Sequence, residues 1–351
     1  MLRAADVAPY LLRNGLLRPR AVVDGRLRVV DVSRSNRVFL VTAEGEPGYV
    51  VKAPVAADDR WVGREAEVLD RLRSRGLTSF LPKPVFHDAV AGVLVLEAPP
   101  GARSLGERNP DRRFSLTLAR RAGRALAALH AGALGGALAG LPSADPAGSL
   151  AVHRLDLETR RALSGASLDL IRRVQASGEL CAALDELLAA RPADRVVHGD
   201  VRWDNWLAIG RPGSARRTRL MLIDWELAAP GDSAMDVGAH LAGHLAAWRE
   251  AAARAGGPAD PSRALPAMQP AVAAFWDAYR GGGAAGPGAT LSRAMRFAGA
   301  RLVLIALEQA QQQPELRPGV LATLQLGANV LRRPDEAAAH LLGLGAGRAG
   351  R

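Results

Sequence analysis

Two spacings of apolar residues divide the start of the chain into short elements. Residues 7–17 place apolar side chains at helical intervals, whereas residues 26–32 and 38–41 have the composition of strands. Residues 44–48 contain two glycines and a proline and predict a turn, after which residues 49–52 resume a strand. The pattern predicts three consecutive antiparallel strands joined by short connections.

The predicted sheet gains a helix and another strand before the pattern changes. Residues 64–73 have helical apolar spacing, and residues 93–97 form an apolar run that is typical of a buried strand. Pro-Pro-Gly at 99–101 ends that strand, and alanine- and leucine-rich helices follow, the first at about 116–130.

This change predicts an α+β fold with two lobes. A chain of 351 residues also exceeds the size at which one hydrophobic core usually stops growing. We expect a sheet-rich N-lobe over residues 1–97, a hinge over 98–103 and a mainly helical C-lobe over 104–342. The glycine-rich residues 343–351 are expected to be a disordered tail.

Composition narrows the class of protein. Hydrophobic residues make up 48% and charged residues 23%, and no apolar run is long enough to cross a bilayer, so we expect a soluble protein without a membrane partner. The first residues do not resemble a secretory signal, which favours a cytoplasmic location. Cys181 is the only cysteine, which excludes an internal disulfide and a cysteine-rich metal cluster.

The net charge of +11 raises the question of nucleic-acid binding. Of the 46 basic residues, Lys52 and Lys83 are the two lysines and the other 44 are arginines, which are spread along the chain and not clustered. Aromatic residues make up only 4%, too few for an obvious platform on which bases stack. We therefore expect no nucleic-acid partner.

Chemistry is concentrated at two predicted strand ends. Asp200 and Asp224 each come just after an apolar strand, and Asn205 lies five residues beyond Asp200, within reach of the same loop. One carboxylate can orient an attacking hydroxyl while another carboxylate and an amide oxygen hold Mg²⁺, which is the set that phosphoryl transfer needs. The alternative is a turn in which Asp200 only caps backbone groups.

A family resemblance starts from these residues. His-Gly-Asp-Val-Arg-Trp-Asp-Asn at 198–205, followed by Ile-Asp-Trp-Glu at 223–226, resembles the aminoglycoside phosphotransferase and choline kinase superfamily. Upstream, Tyr-Val-Val-Lys ending at Lys52 resembles the family's strand with the phosphate-binding lysine. Arg-Glu-Ala-Glu-Val-Leu at 64–69 resembles the helix whose glutamate, here Glu65, pairs with that lysine.

The resemblance covers nearly the whole chain and implies a bilobal, protein-kinase-like fold with ATP and Mg²⁺ between the lobes. It implies that Lys52 grips the α- and β-phosphates and that Asn205 and Asp224 hold the metal. Asp200 would orient the acceptor hydroxyl in line with the γ-phosphate, and His198 would fix the loop by hydrogen bonding.

Further nucleotide contacts are implied at two places. Glu97 and Ala98 lie in a segment that resembles the hinge, whose backbone contacts adenine in related enzymes. Ser35 and Asn36 belong to the turn over residues 33–37 that would cover the phosphates. This turn lacks the glycine that protein kinases and many family members retain, which leaves nucleotide affinity and preference open.

Other polar residues receive supporting roles or none. His130 ends a helix in the family's Leu-His pattern and is expected to be structural, and Asp232 and Asp236 resemble a segment that braces the catalytic loops. Glu67 and Glu226 are acidic neighbours of functional residues, and we place neither in the core set.

The identity of the phosphate acceptor is the part of the function that the sequence determines least. Residues 226–351 contain ten acids and twelve arginines without an acidic cluster, which disfavours an aminoglycoside polycation. A choline-like ammonium would need an aromatic cage, to which Trp276 and Tyr279 could contribute, although their spacing favours helix packing.

A peptide Ser or Thr is a third acceptor, since related kinases act in bacterial pathways that modify ribosomally made peptides. A partner enzyme of such a pathway would then be expected. The non-enzymatic alternative is a nucleotide-binding scaffold, against which Lys52, Asp200, Asn205 and Asp224 are all intact.

Overall fold

The computed structural model describes residues 2–33, 36–56, 59–108, 114–131, 136–141, 144–189, 192–193, 195–210, 218–254, 265–282 and 290–345. Ser35 and residues 346–351 of the predicted tail therefore lie outside the described residues, whereas Leu344, within the same predicted tail, is buried.

The chain forms two compact units. The first, which we call the sheet unit, comprises Met1–Ser104, Ala137–Pro142 and Trp206–Leu227. The second, the helical unit, comprises Leu105–Gly136, Ser143–Asn205 and Ala228–Arg351. The predicted α+β class is confirmed, and the lobe and hinge boundaries stay predictions.

The described strands are β1 (Leu27–Asp31), β2 (Arg37–Ala43), β3 (Gly48–Ala53), β4 (Pro84–Asp88), β5 (Val93–Ala98), β6 (Arg103–Ser104), β7 (Arg195–Val197), β8 (Trp206–Ile209), β9 (Arg219–Leu222) and β10 (Ala229–Gly231). The described helices are α1 (Ala4–Arg13), α2 (Pro19–Val23), α3 (Trp61–Ser74), α4 (Leu105–Arg108), α5 (Leu116–Leu129), α6 (Leu157–Arg161), α7 (Gly165–Gln175), α8 (Gly178–Ala189), α9 (Ser233–Arg254), α10 (Leu265–Gly281), α11 (Leu291–Gln311), α12 (Pro318–Arg332) and α13 (Pro334–Leu342).

The sheet unit is built on a five-stranded antiparallel sheet in the order β1-β2-β3-β5-β4. The predicted succession of three antiparallel strands is confirmed as β1 to β3. Phe39 and Val41 of β2 and Val51 of β3 point to one side, where Val7 and Leu11 of α1 cover them. The same unit contains a second sheet in the order β6-β8-β9.

The helical unit is held together where glycines allow helices to approach closely. A Cβ placed at Gly123 of α5 would lie 2.3 Å from the carbonyl oxygen of Phe275 in α10. One placed at Gly299 of α11 would lie 2.4 Å from the backbone nitrogen of Leu331 in α12. These contacts explain part of the high glycine and alanine content, because only small residues permit such backbone proximity. None of the helices among the described residues is long and apolar enough to cross a membrane.

The glycine contacts yield a stability test. Gly299→Ala forces the backbones of α11 and α12 apart and should lower the free energy of unfolding by about 1–3 kcal/mol. Gly63→Ala in α3 meets no atom within 4 Å and should raise stability by about 0.5–1 kcal/mol. Urea unfolding measures both, and equal effects of the two substitutions would contradict the proposed packing.

Candidate active site

Lys52 lies near the end of β3 with its side chain buried between two carboxylates of the sheet unit. Its Nζ donates to Glu65 Oε2 at 2.7 Å and to Asp224 Oδ1 at 2.5 Å. Burial alone would lower the pKa of Lys52, but the attraction of Glu65 and Asp224 outweighs burial and raises that pKa above its ordinary value. The ammonium therefore stays charged.

Glu65 connects this lysine to the turn that carries Asp224. It is fully buried on α3, and while its Oε2 accepts from Lys52, its Oε1 accepts from the backbone nitrogen of Trp225 at 3.2 Å. The structure thus brings together the Lys52–Glu65 pair that the resemblance implied, and adds the contact with the Asp224 turn.

Asp224 has a strained backbone. Among the described residues it is the one non-glycine residue with positive φ, at 64°. A left-handed conformation of this kind costs about 1–3 kcal/mol and concentrates at functional sites. The neighbouring Trp225 is fully buried, donates through Nε1 to the carbonyl oxygen of Leu222 at 2.7 Å and packs against Phe80, which fixes the turn. The Asp224 side chain itself is 41% exposed.

Glu226, which the sequence does not place in the core set, has a defined position in the structure. Its carboxylate accepts from Asn36 Nδ2, and its backbone oxygen accepts from Arg64 Nη1. Burial, with smaller contributions from Glu65 and Asp224, raises the pKa of Glu226 to about 7 despite the opposing charge of Lys52. The sequence feature that could have indicated Glu226 is its place two residues after Asp224, in the same short turn.

In the helical unit, Asp236 organises the start of the segment over residues 198–205. The backbone nitrogens of His198 and Gly199 donate to its two carboxylate oxygens at 2.7 and 3.0 Å. His130 Nε2 lies 3.1 Å from Asp236 Oδ2, and His130 Nδ1 lies 3.0 Å from Tyr279 Oη. Burial would raise the pKa of Asp236, but these hydrogen bonds and the nearby histidines lower it. Asp236 therefore remains a carboxylate and braces the loop.

Asp200 and Asn205 are in direct contact. Asn205 Nδ2 donates to Asp200 Oδ2 and to its backbone oxygen, both at 2.9 Å, and the Asp200 backbone nitrogen donates to His198 Nδ1 at 3.2 Å. The Asp200 side chain is 30% exposed. The geometry thus positions this carboxylate by a side-chain amide, which differs from a residue that only caps backbone groups.

The predicted hinge residues lie at the end of β5. Glu97 and Ala98 face Tyr49 and Gly48 of β3 in the antiparallel register. The Glu97 backbone nitrogen already donates to the carbonyl oxygen of Lys83 at 2.9 Å, and the Glu97 carboxylate lies 3.1 Å from Lys83 Nζ. The backbone nitrogen of Glu97 is therefore occupied within the fold.

The residues present fit a nucleotide with a hard cation. Among the described residues no group of three or more His, Cys, Asp or Glu side chains is arranged to hold a metal ion. Mg²⁺ in phosphoryl-transfer sites is bound by one or two protein oxygens together with phosphates, so a closed protein cage is not required. The partly exposed carboxylate of Asp224 would supply a donor for the cation, and the buried ammonium of Lys52 beside it would supply a charge for phosphate.

A lysine held by a helix glutamate, a strained aspartate after a strand and an aspartate–asparagine loop define a kinase-type phosphotransferase. Residues 26–270, more than half of the chain, match the model of the phosphotransferase enzyme family APH, and the chain belongs to this family.

Solved structures share the fold at low sequence identity. The amicoumacin kinase hAmiN, in complex with AMP-PNP, Ca²⁺ and Ami, is 16% identical with a TM-score of 0.57 and covers 93% of this chain and 94% of its own. A macrolide 2'-phosphotransferase type I is 20% identical with a TM-score of 0.51 and covers 98% of each chain. LicA in complex with AMP is 14% identical with a TM-score of 0.50 and covers 94% of this chain and 98% of its own. No curated protein sequence matches this chain.

Trp203 fixes the middle of the 198–205 segment against α9. A Cβ at Gly243 would lie 2.5 Å from the Trp203 ring, and the ring meets His244 edge-on with centroids 4.9 Å apart. Phe114 stacks on His244 with ring centroids 5.6 Å apart and also meets the Trp203 ring edge-on at 6.1 Å. Burial lowers the pKa of His244 to about 4 and that of His240 well below its usual value.

These neutral histidines predict acid sensitivity. An unfolded histidine takes up a proton below about pH 6.5, whereas folded His244 stays neutral down to about pH 4. The stability that comes from the neutral ring is therefore complete above pH 6.5 and is lost as the pH falls toward 4. Between pH 7.5 and pH 5 the loss from His244 should be about 2 kcal/mol.

Urea unfolding of His244→Leu at the two pH values measures this effect. The variant should lose about 2 kcal/mol less than the wild type over the same interval. His340→Gln, which changes an exposed histidine of α13, serves as the control and should follow the wild type. A wild-type loss that His244→Leu leaves unchanged would show that this ring is not the sensitive group.

Proposed function

We propose that this protein is an ATP- and Mg²⁺-dependent phosphotransferase that moves the γ-phosphate to a hydroxyl of a small molecule. The observation that carries the proposal is the buried Lys52 between Glu65 and the strained Asp224. In a chain whose other basic residues are almost all arginines, a compact ammonium at this position is suited to binding phosphate as a point charge.

The phosphate-binding role is assigned to Lys52. Glu65 keeps the side chain extended from β3, and the network of charges keeps the ammonium protonated. When nucleotide binds, the α- and β-phosphates would take over part of the interaction that Asp224 now makes with Lys52. Asp224 would then be released to ligate the metal. Glu226 would hold Asn36, and with it the turn that covers the phosphates. Glu97 would contact adenine through its backbone oxygen, because its backbone nitrogen already donates to Lys83.

The metal-binding role is assigned to Asp224 and Asn205. Asn205 turns its amide nitrogen toward Asp200, which leaves the side-chain oxygen as the donor for a hard cation. Mg²⁺ would neutralise charge on the phosphates during transfer.

The role of orienting the acceptor hydroxyl is assigned to Asp200. Its carboxylate would accept the hydrogen bond of the attacking hydroxyl and orient the oxygen toward the γ-phosphate. Asn205 fixes one carboxylate oxygen, and His198 fixes the backbone of the same residue. Asp236 in turn holds the backbone of the loop at His198 and Gly199.

The acceptor class is argued from charge and from the relatives. The amicoumacin and macrolide enzymes are named for small molecules, which supports a small-molecule hydroxyl here. Residues 226–351 carry more arginines than acids, which disfavours a polycation. Trp276 and Tyr279 are both buried, with Tyr279 fully enclosed and bonded to His130, so they pack in the core and form no open cage for an ammonium.

The test is transfer of phosphate from labelled ATP to a panel of hydroxyl compounds with and without Mg²⁺. The wild type should require Mg²⁺, and Asp200→Asn should lower kcat by about 10²- to 10⁴-fold. Asp169→Asn, which changes a partly exposed aspartate of α7, is the control and should retain wild-type rates.

Two results would contradict the proposal. Rates that do not change in Asp200→Asn would remove the assigned base, and binding of ATP without turnover on any acceptor would favour the nucleotide-binding scaffold. Including Ser- and Thr-containing peptides in the panel separates a peptide kinase from a small-molecule kinase.

A further inference from the structure

Arg301 differs from most arginines of this chain because it is buried beside the proposed base. The residue lies on α11 and is 8% exposed. One terminal nitrogen, Nη2, lies 3.9 Å from Asp200 Oδ1, and the other, Nη1, lies 3.1 Å from Glu308 Oε1. All three residues belong to the helical unit.

Glu308 holds Arg301 in place. It follows Arg301 by seven residues on α11, which is two helical turns, so both side chains lie on the same face. Glu308 also lies 3.6 Å from Arg202, which itself lies 3.7 Å from Asp204. A buried guanidinium is stable only when it is paired, and its planar group of donors is pre-organised for carboxylates. The charges therefore alternate from Asp204 through Arg202, Glu308 and Arg301 to Asp200.

The two oxygens of Asp200 have different surroundings. Oδ2 accepts a hydrogen bond from Asn205 at 2.9 Å, whereas Oδ1 faces the Arg301 guanidinium at a distance beyond a hydrogen bond. The attraction of Arg301 orients the carboxylate without occupying Oδ1 with a short contact. An oxygen held in this way is suited to receive the hydrogen bond of an acceptor hydroxyl.

We propose that Arg301, held by Glu308, is a positioning residue that fixes the Asp200 carboxylate for catalysis. This inference rests on the proposed function, in which Asp200 orients the acceptor. It gives α11, which lies outside the matched family segment 26–270, a part in the reaction through Asp200.

The experiment uses the whole chain of 351 residues and measures steady-state transfer from labelled ATP over a range of ATP concentrations, with water as acceptor in the absence of other compounds. Arg301→Met should lower kcat by about 10- to 100-fold and leave the KM for ATP within twofold of the wild type. Arg301→Lys keeps the charge and should be faster than Arg301→Met. The logarithm of its kcat should recover at least a third of the difference between Arg301→Met and the wild type. Glu308→Gln, which keeps Arg301 but removes the charge that holds it, should give an intermediate rate.

Arg296→Met is the matched control. Arg296 lies on the same helix and pairs with Glu186, so its loss should leave kcat unchanged. Thermal unfolding of each variant separates lost activity from lost folding, and the lysine variant keeps the test open if Arg301→Met does not fold.

The double variant Asp200→Asn/Arg301→Met distinguishes positioning from a structural role. If Arg301 acts through Asp200, the double variant should be no slower than Asp200→Asn alone. The inference would be overturned if the double variant lost activity by the product of the two single losses, or if folded Arg301→Met kept the wild-type kcat. The proposed function would stand in either case. Asp200→Asn with a wild-type rate would instead show that the proposed function has failed.

Discussion

The sheet unit depends on a buried lysine that two carboxylates keep charged. Lys52 is 4% exposed, and a lone ammonium at such a position would be expelled from the core or would lose its proton. Glu65 and Asp224 prevent both outcomes and, in doing so, connect β3, α3 and the turn after β9 through one set of hydrogen bonds. The strained backbone of Asp224 is stabilised by this contact and by the anchoring of Trp225 in the core.

In the helical unit, a buried carboxylate holds the loop that carries Asp200 and Asn205. Asp236 accepts from two successive backbone nitrogens and lies against His130, so the loop that carries Asp200 and Asn205 begins at a fixed point. The pairing of Asp200 with Asn205 on one side and Arg301 on the other extends this rigidity to the carboxylate itself. Both units therefore place a partly exposed aspartate, to which we assign a function, on a buried, hydrogen-bonded support.

Local patterns predicted the strands and the main polar groups because those signals lie in short segments. The apolar run before Lys52 and the helical spacing around Glu65 predicted both elements, and the resemblance supplied their pairing. Contacts between distant segments were not predictable in this way. Asn36 and Glu226 are 190 residues apart and Arg301 is one of 44 arginines, so nothing local marks either as part of a site. The bond from Glu97 to Lys83 likewise depends on strand pairing that the residue types do not reveal.

The two lysines allow the phosphate-binding role of Lys52 to be measured directly. A nucleotide acyl phosphate transfers its acyl group to an amine held beside its phosphates, and peptide mass spectrometry identifies the modified lysine. We expect acylation of Lys52 that excess ATP suppresses. Lys83, whose side chain is 63% exposed, should be modified only slowly and without protection by ATP. Acylation of Lys52 that ATP does not suppress, or ATP-protected acylation of Lys83 instead, would contradict the assignment of Lys52 as the phosphate-binding residue.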